Sequence, residues 1–296
     1  MSFRLKHKEG VSEGIRRIAS GRAENALRAL RGTDTDPAEA IHQARKDLKK
    51  LRAMLRLSRE RLGSKRFRAE DRRYRDAGRQ LSSSRDAEVR LLTARALGRR
   101  CGPQLPAGAY GIWVLALERE REEATGGGDG RGPEVELAAA AIAAGRAAIA
   151  EWPPGDDSWE AIGPGLRRSY RKGRRGLRRT IADPSPENVH AWRKRGKDLT
   201  YQLRVVRNAW PELLGETAER SHLLTDLLGD HHDLELLAED LERREIDGKG
   251  EIAGLIRSWQ AELLDEAFEL GQRLYAEKPS AFESRLRAYW RIWRED

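Results

Sequence analysis

The 296-residue chain predicts an all-α protein built from two similar halves. Three observations carry that expectation. Apolar residues recur at three- and four-residue intervals along the whole chain, and no stretch alternates with the period of two that a strand needs. The composition, 39% hydrophobic and 35% charged with few aromatics, suits helices that each bury a single stripe. Finally, Ile41 to Leu57, IHQARKDLKKLRAMLRL, returns as Val189 to Val205, VHAWRKRGKDLTYQLRV. His42/His190, Arg45/Arg193, Lys46/Lys194, Lys49/Lys197, Leu51/Leu199, Leu55/Leu203 and Arg56/Arg204 match at a constant offset of 148 residues, which indicates an internal duplication.

The first helix is expected over about Val11 to Arg31, with Ile15, Ile18, Ala26, Leu27 and Leu30 inward and Ser12 as its cap. Gly32 to Asp36 turns the chain, and Pro37 is placed to open the second helix, which holds the first copy of the repeat. An Arg-rich helix follows over about Lys65 to Leu81. Ser83 and Asp86 then form a capping box for the next. A helix through Tyr110 to Glu123 leads to GGGDGRGP. No Gly-Lys-Ser/Thr follows that run, so it is no phosphate-cradling loop. It reads instead as a flexible linker, 126–133, between a first half, 1–125, and a second half, 134–296.

The second half opens with an Ala-rich helix over about Glu134 to Trp152. GLRRSYRKGRRGLRR at 165–179 then answers GIRRIASGRAENALR at 14–28, with Gly14/Gly165, Arg16/Arg167 and Arg17/Arg168 in register. DPSPEN leads into the second copy of the repeat, Pro211 closes that region, and a helix follows that is expected to end near Leu228. Gly229-Asp230 is expected to turn the chain, with Asp230 and Asp233 repeating the Ser83/Asp86 cap. Two last helices, about 251–277 and 280–294, have no twin.

On a helix, Ile41, Ala44, Leu48, Leu51 and Leu55 fill one arc, and His42, Arg45, Lys49, Arg52 and Arg56 fill the next. In the second copy Val189, Trp192, Leu199 and Leu203 face His190, Arg193, Lys197 and Arg204 in the same way, with Thr200 where Arg52 stood. Like charges three or four residues apart repel, by a few tenths of a kcal/mol a pair. A lone basic stripe is ordinarily a solvated face. A stripe repeated with His at the same point implies an anion lying against it.

Charge is segregated along the chain. The formal net charge is +9, yet Glu160 to Arg207 holds 14 Lys/Arg against four Asp/Glu, and Leu228 to the C-terminus ten against 17. That division implies a basic face or cleft with acidic helices elsewhere, and leaves nucleic acid, polyphosphate or an anionic membrane surface as partners. Cys101 is the one cysteine, which excludes an internal disulfide. No apolar run reaches a membrane-spanning length and no signal core opens the chain, so a cytosolic protein is expected.

Three chemistries compete for the stripe. Arg forks and Lys ammonium groups bind phosphate oxygens, and a bound phosphate pushes a neighbouring His toward its charged form. Metal binding by His42 and His190 is disfavoured, because the surrounding cations repel a metal and no carboxylate shares the arc. His231-His232-Asp233 reads as a helix terminus before a metal cluster. Catalysis needs a nucleophile or an orienting carboxylate near the His, and the sequence offers neither. No metal, cofactor or catalytic residue is expected. Trp192, Trp210 and Trp259 lie in apolar registers and read as core, not as base-stacking platforms. Charge pattern alone does not separate nucleic acid from inorganic polyphosphate.

HQARKDLKKLRAMLR and HAWRKRGKDLTYQLR resemble the paired His-containing helices of the CHAD family, the conserved histidine α-helical domain. EGIRRIASG, LSSSRDAEV, YRKGRRGLRR and LLGDHHDLELL extend the resemblance over nearly the whole chain, 1–296. It implies two four-helix bundles related by a pseudo-twofold axis, with a basic central groove or pore that binds inorganic polyphosphate. It also implies association with polyphosphate granules, and a stand-alone binder without the CYTH triphosphatase often fused to such domains. The phosphate contacts it implies are His42, Arg45, Lys49, Arg52 and Arg56 with His190, Arg193, Lys197 and Arg204. Arg16, Arg17, Arg167, Arg171, Arg174, Arg175 and Arg178 are implied at the rim. No membrane partner is expected, and the alternative readings are an accessory or catalytic protein acting on triphosphate-containing substrates or an RNA-binding helical module, with nucleic acid the less favoured partner. Thr200 departs from the pattern, so the halves are expected to contribute unequally.

Overall fold

The computed structural model describes residues 2–32, 36–81, 86–126, 132–153 and 157–295, and every regular element among them is a helix. The elements run α1 (Val11–Arg31), α2 (Pro37–Leu57), α3 (Arg59–Leu62), α4 (Ser64–Gln80), α5 (Asp86–Cys101) and α6 (Ala107–Gly126). They continue as α7 (Pro133–Ile149), α8 (Gly163–Ala182), α9 (Pro186–Val206), α10 (Pro211–Glu242), α11 (Lys249–Leu274) and α12 (Pro279–Glu295). Among the described residues no helix is long and apolar enough to cross a membrane.

The helices pack as two groups. In one, α1 lies against α2 and α7, and α4 lies against the same two. In the other, α9 sits between α8 and α10, and α11 closes on both α10 and α8. The groups meet where α2 crosses α9 and touches α8. The α5–α6 hairpin leans on α10, and α12 covers α8. Helix α7 comes after the glycine run yet packs in the first group, so the packing boundary falls beyond α7 and not at 126–133. Residues 127–131 of that run lie outside the described residues.

Local chemistry accounts for the ends. Asp36 caps α2 by accepting from the Glu39 amide at 3.1 Å, with Pro37 in the first turn. The expected cap of α1 is corrected. Ser12 lies inside the helix, and its amide donates to the Asp157 carboxylate at 3.1 Å, an anion brought from far along the chain to an orphan N–H. The Ser83 cap lies outside the described residues. The short α3 follows α2 after one residue and ends at Gly63, which takes the left-handed φ of 73°.

The larger correction concerns Gly229-Asp230. No turn occurs there, because α10 runs unbroken for 32 residues and neither Asp230 nor Asp233 caps a helix. Gly229 keeps a helical backbone, and a Cβ there would come within 2.8 Å of the Arg193 guanidinium, the flexible end of a side chain that can shift. Trp192 is fully buried, as its register implies, whereas Trp210 remains 44% exposed with its edge against Tyr289.

Two other contacts position the junction. A Cβ on Gly165 would fall 2.0 Å from the Leu57 carbonyl oxygen, so glycine lets α8 press on the end of α2. Asp47 is wholly buried on α2 and accepts from Arg22 of α1 at 3.0 Å and from Gln43 at 3.0 Å.

Candidate functional site

Helix α9 packs against α2 on one side and α10 on the other, and the face these three helices share is termed the trough. Across the crossing, Gln202 donates to the Ala53 carbonyl at 3.0 Å and Arg56 to Asp198 at 3.0 Å. On the other side of α9, small residues draw α10 in: Thr200 and Ser221 share a hydroxyl hydrogen bond of 2.8 Å, and a Cβ on Gly196 would meet Thr225 at 2.6 Å. Thr200 is therefore buried in the α9–α10 contact, which explains why no arginine stands there. Arg193 reaches over the same contact and donates to the Thr225 carbonyl at 3.4 Å.

The cations of both copies converge on this trough. Lys49 is exposed on α2, yet protein packs around its ammonium. Burial first, then Arg45, Lys197 and Arg193, push its ammonium down to about 8, with Asp233 opposing. Burial and Arg193 lower Lys197 as well, against Asp226 and Asp233. His190 lies 4.6 Å, ring to ring, from His232, and burial, Lys194, His232, Arg193 and Lys49 push it down to about 4. At pH 7 it is neutral, the reverse of the charged form that bound phosphate favours.

Arg45, Lys49, His190, Arg193 and Lys197 thus come together, with Lys46 and Lys194 beside them. His42 stands two turns before Lys49 on the same face of α2, half-buried. Other stripe residues are already held by carboxylates. Asp71 of α4 takes Arg52 at 3.0 Å and Arg56 at 3.1 Å, while Glu219 of α10 takes Arg204 at 3.3 Å. Arg56/Arg204 and Asp71/Glu219 share the 148-residue offset, so this ion pair is itself duplicated. Arg17 is clamped by Glu9 at 2.7 Å, Arg16 donates to the Trp152 carbonyl at 3.4 Å, and Arg174 to that of Tyr275 at 3.0 Å. Arg167, Arg171, Arg175 and Arg178 are exposed on α8.

Helix α10 adds what the stripe reading missed: Asp226, Asp230, His232 and Asp233 edge the trough. Burial, Asp233 and Asp226 raise the Asp230 carboxyl above its ordinary range. The signal was in the sequence, as acids at the spacing of one helical face, but only an unbroken helix through Gly229 aligns them. Among the described residues no group of three His, Cys, Asp or Glu side chains could hold a metal ion. Arg45, Lys46, Lys49, Arg193, Lys194 and Lys197 outnumber the three acids, so the trough suits an anion.

A family model described as the CHAD domain matches residues 18–242, well over half of the chain. The chain belongs to the CHAD domain family. The CHAD fold is also found in the crystal structure of the CHAD domain from the plant Ricinus communis, with a TM-score of 0.56 at 17% identity over 97% of this chain and 95% of that one. PptA from Streptomyces chartreusis aligns with a TM-score of 0.60 at 16% identity, over 91% of this chain and 100% of that one. At such identities the likeness speaks for the fold alone. The sequence matches none of the curated proteins.

Proposed function

We propose that this CHAD domain protein binds inorganic polyphosphate in the trough between α2, α9 and α10, without catalysing a reaction on it. The observation that carries the reading is the gathering of Arg45 and Lys49 of one copy of the repeat with Arg193 and Lys197 of the other. Neighbouring cations that repel one another in a recess are stabilised together by a chain of phosphates, each of which contacts several of them. Membership of the family supports the same partner.

Affinity comes from many phosphate contacts and the counterions they displace, so it falls steeply with salt. Long chains outbind short ones, because each further phosphate arrives at high local concentration. Calorimetric titration with graded polyphosphates tests this. Arg45→Glu with Arg193→Glu is expected to abolish binding while circular dichroism keeps the helical signal. Equal affinity for orthophosphate and long chains defeats the reading. Mg²⁺-dependent phosphate release that disappears in His190→Ala defeats its non-catalytic part. In cells the same affinity is expected to recruit the protein to polyphosphate granules, where a fluorescent fusion forms foci that the double variant loses.

A further inference from the structure

Outside the trough, α8 carries charge that the proposed function does not use. From Gly163 to Ala182 there are eight Arg/Lys and no Asp/Glu. Two of these cations have structural partners: Arg168 donates to the Arg56 carbonyl at 2.7 Å and to Glu60, and Arg174 to the Tyr275 carbonyl. Arg167, Arg171, Lys172, Arg175, Arg178 and Arg179 are exposed, and none forms an ion pair among the described residues. The Arg-rich α4 differs, because Glu70, Asp71 and Asp76 sit among its arginines and pair with cations of α2 and α4. Repulsion between neighbours three and four residues apart on α8 goes unrelieved in the free protein.

The six cations form two rows. Arg167, Arg171, Arg175 and Arg178 follow the crown of the helix, and Lys172 and Arg179 follow the flank roughly a quarter-turn away. On that flank Lys172, partly desolvated, feels Arg195 of α9 and Arg56 of α2 with Asp198 opposing them, so cations of neighbouring helices adjoin the face of α8. From Arg167 to Arg179 the face is about 18 Å long, and its rows lie on the order of 10 Å apart. A single polyphosphate thread can follow only one row. A duplex presents two phosphate rows across a major groove about 12 Å wide, and about ten phosphates fall along 18 Å of its axis. The crown offers arginines and almost no amide, hydroxyl or aromatic group for base edges, so its contacts go to the backbone.

We infer that the exposed face of α8 is a second polyanion surface, separate from the trough, whose partner is duplex DNA held through its phosphates without regard to sequence.

Fluorescence anisotropy with a labelled duplex of about two helical turns tests this on the full chain. With about five phosphates contacted, log affinity is expected to fall against log salt with a slope of about −4 to −5. Arg171→Glu with Arg175→Glu is expected to weaken binding at least tenfold and to flatten the slope by about two units. If the Glu pair disturbs the helical signal, Arg171→Gln with Arg175→Gln removes the same charges without adding acid. Arg193→Glu with Lys197→Glu, in the trough, is expected to leave DNA affinity unchanged. The inference is overturned if DNA fails to bind at about 0.1 M salt, near-physiological ionic strength. It is equally overturned if the trough pair abolishes DNA binding while the α8 pair spares it, or if single strands bind as tightly as the duplex. Failure of polyphosphate to bind the trough would leave all three readouts untouched.

Discussion

Lys49 carries a charge that its surroundings act to remove. Its ammonium titrates near 8 in the folded protein and at 10.5 in an ordinary site. Between those values the unfolded chain holds more protons than the folded one, so stability rises with pH across that window. Replacing the ammonium with a neutral group of similar length, Lys49→Met, is expected to raise the melting temperature at pH 7 and to remove the gain between pH 8 and 10. Melts of both proteins at the two pH values check it. A melting temperature unchanged at pH 7 would show that the recess costs this cation nothing. His190 runs in the same sense at lower pH: its contribution is lost as pH falls from 6.5 to 4.

At the scale of single helices, the repeated glycines are not equivalent. A Cβ on Gly165 would meet the backbone of Leu57, which cannot step aside, whereas one on Gly14 would meet the side chains of Leu5 and Glu9, which can. Gly165→Ala is expected to cost about 1–3 kcal/mol and Gly14→Ala less, read as urea midpoints. Reversal of that order would mean that α8 does not rest on α2. Helix α10 offers a second contrast, because its carboxylates oppose Lys197 from across the trough. Asp226→Asn with Asp233→Asn is expected to tighten polyphosphate binding several-fold at low salt and to hold less advantage as salt screens the field. Weaker binding in that variant would mean the acids position the cations instead of opposing the ligand.

The stripe was legible because periodicity and repetition are properties of sequence alone: Arg45, Lys49, His190, Arg193 and Lys197 could be named before any coordinate. What opposes or neutralises a cation was not legible, since Asp71, Asp198, Glu219 and Asp226 reach the stripe only through packing between helices. Gly229 misled for a related reason. A glycine before an aspartate signals a turn when only neighbours in sequence are considered, whereas the packing of α10 against α9 and α11 carries the helix straight through it.

Across the whole molecule, the two helix groups touch chiefly where α2 meets α9 and α8, and that junction carries the cations of both repeats. Neither group owns the trough. A phosphate chain lying in it is a staple: it favours only the state in which both groups are folded and docked, and by mass action it raises the midpoint of each. Scanning calorimetry of the free protein is expected to give a broad or split endotherm, sharpened by long polyphosphate into one transition at higher temperature. A ligand bound there would make one cooperative unit of two helix groups that could otherwise melt apart.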